Sequence, residues 1–75
     1  MFEKIATLIA EQLYIDVNDV KEDSSFINDL GADSLDVVQM LISMEREFGV
    51  KFADDEIASI KTVGDAVRMI ENKRK

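Results

Sequence analysis

Asp33-Ser34-Leu35-Asp36-Val37-Val38-Gln39-Met40-Leu41-Ile42-Ser43-Met44-Glu45-Arg46-Glu47-Phe48-Gly49 is the stretch on which the fold turns. Asp33 suits a helix N-cap, and Asp36, three residues on, favours the positive end of a helix dipole. Gly49 follows the last periodic residue and reads as the C′ stop. At about 100° per residue from Ser34, the residues Val37, Met40, Leu41, Met44 and Phe48 fall within roughly 240–340°. That is a core-facing stripe. Leu35, Val38 and Ile42 fall within roughly 40–100°, a second strip, with Glu45 on one edge and Arg46 and Gln39 on the other. Either both strips are buried in a central helix, or the second is exposed. An exposed apolar strip rimmed by charge is what a binding surface looks like.

Working outward, the same periodicity recurs on both sides. Phe2, Ile5, Ala6, Ile9 and Leu13 mark a first helix over Phe2 to about Leu13, with Leu8 beside the stripe. A short third helix is expected around Asp54–Ser59. Thr62, with Asp65 three residues later, caps a fourth that runs to about Glu71 and buries Val63, Ala66, Val67 and Ile70. The basic end Asn72-Lys73-Arg74-Lys75 is expected to fray. β-Branched residues are not spaced for strands. The chain therefore reads as all-α, a small four-helix bundle with three longer helices and one short. A single domain spans residues 1–75, with 73–75 as a frayed tail. Between the first two helices, residues 14–33 lose the periodicity. Ile15, Val17, Val20, Phe26, Ile27 and Leu30 along this stretch should pin it across the helices as a long ordered loop, with Gly31 supplying a positive φ.

Composition narrows the chemistry. The 75 residues contain no Cys and no His, which removes disulfides, thiolate and imidazole metal sites, and Ser-His or Cys-His nucleophiles. The net charge of −7 and pI near 4.4 argue against nucleic acid. No apolar run approaches the roughly 20 residues of a membrane span. Met1-Phe2-Glu3-Lys4 resembles neither a signal nor a transit peptide, so a cytoplasmic chain is expected; a monomer is expected as well. Residues 16–56 hold twelve acids against three bases, so the acidic field belongs to the loop and the second helix, and suits a basic partner. Asp16-Val17-Asn18 begins like a Ca²⁺ loop, but Lys21 stands where Gly is needed and Ile27 where Glu is needed. No metal site is expected, although Glu45, Glu47, Asp54 and Asp55 leave weak divalent-cation binding open.

Ser34 has the most suggestive setting of the serines. It follows a Gly-containing turn and opens a helix, where unpaired N–H groups favour an attached phosphate. No basic side chain in its neighbourhood makes it a nucleophilic catalyst. Leu30-Gly31-Ala32-Asp33-Ser34-Leu35-Asp36 resembles the prosthetic-group attachment motif of acyl carrier proteins of dissociated (type II) fatty acid synthesis. The likeness extends along the chain through Phe26, Glu45-Arg46-Glu47-Phe48 and Thr62-Val63…Ala66-Val67…Ile70.

The resemblance implies that Ser34 carries 4′-phosphopantetheine, transferred from coenzyme A by a Mg²⁺-dependent holo-acyl-carrier-protein synthase. Acyl intermediates of fatty acid biosynthesis then ride as thioesters on its thiol, and the chain itself is no enzyme. It further implies that Asp33, Leu35, Asp36, Val38, Gln39, Ile42 and Glu45 meet basic docking patches on partner enzymes. Phe26, Val37, Met40, Leu41, Met44, Phe48 and Ile60 would line an acyl-chain pocket. Gln39 and Arg46 stand where the family usually has acids, and Phe52-Ala53 where it usually has Ile-Pro. These departures motivate one alternative, a specialised carrier for polyketide, lipid A-type or D-alanine transfer pathways. Another is an acidic interaction domain with Ser34 unmodified.

Overall fold

Four helices form where the apolar periodicity places them. The computed structural model describes residues 1–74. In it α1 spans Phe2–Leu13, α2 Ser34–Phe48, α3 Asp54–Ser59 and α4 Val63–Lys73, with a single 3₁₀ turn at Val17–Asp19. No strand forms among the described residues; Ser25 and Thr62 make an isolated antiparallel bridge. The core is one cluster. Ile5 and Ile9 of α1, Met40, Leu41 and Met44 of α2, and Val63 and Ile70 of α4 meet in it, together with Phe26 from the loop. The radius of gyration, 11.0 Å, matches the about 11 Å expected of a packed chain this long. The twenty-residue connection is therefore folded onto the bundle.

That connection is held by two devices. Val20, Phe26 and Ala32 are buried in the core. Its carbonyls also cap α4: the Val63 N–H donates to Ser24 O at 3.0 Å and the Gly64 N–H to Glu22 O at 2.7 Å. These are the N–H groups that a helix start leaves without intrahelical partners. The approach explains Gly64, because a Cβ there would lie 2.9 Å from Glu22 O. The Asp65 N–H donates to Thr62 Oγ1 at 3.2 Å, completing the expected cap.

α1 ends where the periodicity places it, at Leu13, whereas α4 ends two residues beyond the expected Glu71. α1 stops at Tyr14, which takes the left-handed conformation at φ 58° although its side chain is 95 % exposed. Such a conformation costs a non-glycine residue about 1–2 kcal/mol. α4 continues past Glu71 to Lys73. The Lys73 ammonium pairs with Glu56 at 2.9 Å and sits 5.9 Å from the Phe52 ring centroid. The Arg74 guanidinium lies 5.8 Å from the Phe48 ring centroid, and the Arg74 backbone N–H donates to Ile70 O at 3.0 Å. Tertiary contacts thus anchor a basic end that local propensity leaves loose. Lys75, the rest of the expected tail, lies outside the described residues.

Candidate functional site

The loop segment 25–33 aims Ser34. The Ser25 N–H donates to Asp29 Oδ2 at 2.7 Å, and the Leu30 N–H returns to Ser25 O at 3.0 Å. Gly31 turns the chain at φ 72°, with open space around it, so the backbone angle and not crowding calls for glycine. The Ala32 N–H then donates to Phe26 O at 2.9 Å. With Phe26 and Ala32 sunk in the core, Asp33 and Ser34 emerge exposed.

Asp33 and Asp36 cap α2 reciprocally. The Asp36 N–H donates to Asp33 Oδ1 at 2.9 Å and the Asp33 N–H to Asp36 Oδ2 at 3.3 Å. The next two N–H groups, of Ser34 and Leu35, have no acceptor among the described residues. At the start of α4 the corresponding pair is consumed by the loop. The hydroxyl of Ser34 therefore stands in solvent beside free donors, a setting that suits a phosphoryl group bonded to Oγ.

Ser34 also borders an open hollow of about 470 Å³. Val37 and Val38 of α2 form one wall, Ile57 and Ala58 of α3 the other, with Ile60 and Lys61 beyond. Phe26, Ile27 and Asn28 close it from the loop side. Of the residues expected in an acyl pocket, Phe26, Val37 and Ile60 line this hollow. Met40, Leu41 and Met44 do not; all three are packed inside the core, and Phe48 lies half-buried beneath Arg74. Val38, expected to face partners, lines the hollow and is half-buried. Ile27, Ile57 and Ala58 are lining residues that the sequence reading missed. The apolar Ile57-Ala58 pair inside an otherwise acidic short helix was the available signal.

On the outer face Leu35 is 65 % exposed and Ile42 43 %, with Asp33, Asp36 and Gln39 beside them in solvent. Both apolar strips of α2 are thus real, and only one is buried. Glu45, half-buried, accepts the Phe52 N–H on its Oε2 at 2.7 Å, so this carboxylate braces the segment before α3. Across the hollow, Glu56 accepts the Ala53 N–H at 2.7 Å and pairs with Lys73. The backbone donor first, then Lys73, hold its carboxyl below the usual Glu range. No group of three or more His, Cys, Asp or Glu side chains is placed to hold a metal ion, and no helix is long and apolar enough to cross a membrane, among the described residues.

Ser34 is thus a solvent-exposed serine at a helix start, beside a largely apolar hollow. Residues 3–70 match the family model described as the phosphopantetheine attachment site. Over 72 residues the chain is 46 % identical to the acyl carrier protein of Sulfurovum sp. (strain NBC37-1), covering 96 % of each. The fold is similar to that of the acyl carrier protein from Enterococcus faecalis, with a TM-score of 0.80 and 32 % identity, covering 96 % of this chain and 91 % of that one. It is equally similar to that from Thermotoga maritima, with a TM-score of 0.80 and 31 % identity, covering 93 % and 81 %. The chain belongs to the acyl carrier protein family. It is a carrier, not an enzyme, and its cofactor is phosphopantetheine. The exposed hydroxyl, the two free N–H groups and the adjoining hollow fit that group.

Proposed function

We propose that Ser34 is the attachment point of 4′-phosphopantetheine and that the chain presents acyl thioesters to the enzymes of fatty acid biosynthesis. The observation that carries this is the exposure of Ser34 at the mouth of the hollow. Of the five serines it alone combines a helix start, free backbone donors and an apolar recess large enough to receive a chain. The prosthetic group supplies the thiol that a Cys-free sequence lacks. Asp33, Asp36 and Gln39, with Leu35 and Ile42 between them, form the face offered to the holo-synthase and to enzymes with basic docking patches. Acid-to-base complementarity of this kind chiefly speeds encounter. We place the carrier in the cytoplasm as a monomer. The similar proteins bear the general acyl carrier name, which favours this role over the polyketide, lipid A-type or D-alanine alternative.

Ser34→Ala tests the assignment. Helical circular dichroism should stay close to wild type, while incubation with coenzyme A and a holo-synthase should give no mass increase. A variant that still gains the arm, or an adduct on wild type that peptide mass locates on Ser24 or Ser25, overturns it.

A further inference from the structure

The hollow beside Ser34 has an unusual charge. Residues 16–56 hold twelve acids and three bases, yet no acid lines the hollow, and its one charged lining residue is Lys61. Lys61 sits in the connector between α3 and α4, and its backbone is fixed at both polar groups. Its N–H donates to Asp65 Oδ2 at 3.2 Å and its carbonyl accepts the Phe26 N–H at 3.2 Å. The side chain is exposed and its ammonium makes no ion pair among the described residues. Asp65, the nearest acid in sequence, is paired with Arg68.

An anion bonded to Ser34 Oγ would stand in a difficult field. Asp33 precedes it and Asp36 follows two residues later, both held in place by the reciprocal cap. Two fixed carboxylates beside one phosphodiester repel it, and the two free N–H groups of α2 oppose this repulsion. Lys61 is the one cation that shares a cavity wall with Ser34. A lysine ammonium binds phosphate as a point charge and needs no fixed orientation to do so.

We infer that Lys61 is a positioning residue for the prosthetic arm: its ammonium pairs with the phosphodiester on Ser34 and turns the arm across the hollow towards Ile57 and Ile60. The inference rests on Ser34 being the attachment point. It makes Lys61 a determinant of where the arm lies, not of whether it is added.

The test uses holo wild type, Lys61→Gln and Lys61→Arg, each loaded from coenzyme A by a holo-synthase. Intact and peptide mass first establish one arm on Ser34, and circular dichroism the fold. The readout is the ³¹P resonance of the phosphodiester at low and high NaCl, with NOEs from the arm's methyl groups to Ile57 and Ile60. In wild type and Lys61→Arg the resonance should shift as salt screens the pair, and the NOEs should be present at low salt. In Lys61→Gln the resonance should sit at the high-salt position throughout and the NOEs should be lost. A resonance, salt response and NOE set in Lys61→Gln identical to wild type overturns the inference while leaving the attachment intact. An arm that mass locates away from Ser34 in wild type removes the attachment reading itself, and this inference with it.

Discussion

The two walls of the hollow are built on different principles. α2 buries Val37, Met40, Leu41 and Met44, is capped reciprocally at its start and ends at a left-handed Gly49. α3 is six residues long, buries none of them fully and carries three acids in its first turn. Its flanks are fixed by the buried Phe52 and Ile60, and the rest is tied by carboxylates: Glu45 to the Phe52 N–H, and Glu56 to the Ala53 N–H and to Lys73. Packing is collectively strong and insensitive to salt, whereas exposed ion pairs contribute little. The wall that bears Ser34 is therefore rigid, and any widening of the hollow falls on the wall opposite.

The largest expected effect probes the rigid wall. Leu41 is buried to 1 % exposure, while its neighbour Ile42 stands on the solvent strip. Leu41→Ala should cost about 2–5 kcal/mol, much of the stability of a domain this small. Ile42→Ala should melt near wild type and show its deficit as slower modification by the holo-synthase. Calorimetry of both variants checks this. Equal loss in the two would mean that α2 is buried all round.

Next comes the cap. Asp33→Ala removes the acceptor of the Asp36 N–H and leaves a helix start without its box, at a cost of about 0.5–2 kcal/mol. Thermal melts should show the loss, and hydrogen exchange should place it in the first turn of α2. Exchange that speeds up equally in α3 would erase the distinction between the walls.

How much of this was legible in the sequence divides along the same line. The bounds of α2 could be read, since its stripe, its capping residues and its terminal glycine are all local signals. Spacing set Leu35 and Ile42 apart from the core stripe but left open whether their strip was buried. The position of Ser34 at the helix start followed from Gly31 and Asp33. The soft wall was far less legible. A helical wheel places Glu45 at the edge of the outer strip, but its partner is a backbone N–H seven residues on, across a turn that no periodicity describes. The same wheel cannot tell pocket from core on one stripe. Met40, Leu41 and Met44 are filled against α1 and α4, whereas the gap opens where α3 is too short to pack against Val37 and Val38. Lys73 lies on a basic end that local rules expect to fray, and only the meeting with Glu56 and Phe52 extends α4. The end of α1 was legible where the stripe stops at Leu13, but its left-handed cap was not, because Tyr14 adopts a conformation usually left to glycine or asparagine.

A middle-sized effect tests whether α3 really hangs on its carboxylates. Glu45→Gln keeps an oxygen that can accept the Phe52 N–H but removes its charge. A charge-assisted bond is roughly twice as strong as a neutral one, so the cost should be about 1 kcal/mol. The signature is local. Exchange of the Phe52 amide should accelerate while the amides of Met40 and Leu41 keep their protection. An unchanged Phe52 amide would show that packing of its ring, not the carboxylate, fixes the entry to α3.

The smallest effect concerns pH. The Ala53 N–H and then Lys73 hold the Glu56 carboxyl below its ordinary value near 4.5. Between the two values the unfolded chain binds more protons than the folded one, so stability rises with pH across that window. The contribution is complete above the ordinary Glu value and is lost as pH falls through the lowered one. Glu56→Gln removes it. Urea midpoints of wild type and variant should differ slightly at about pH 6 and converge as the pH falls below the lowered Glu56 value, as linkage requires. Because the carboxyl is exposed, added salt should shrink the difference at the higher pH. The comparison of the walls is sharpened further by placing the same charge loss elsewhere. Asp65→Asn acts on α4, whose start is already stitched to the loop by the Val63 and Gly64 N–H groups. Loss of charge at Glu56 should speed amide exchange within α3, and at Asp65 it should leave α3 untouched. If Glu56→Gln leaves α3 exchange unchanged at both salt concentrations, the ion pair with Lys73 ties nothing, and the short helix stands on Phe52 and Ile60 alone.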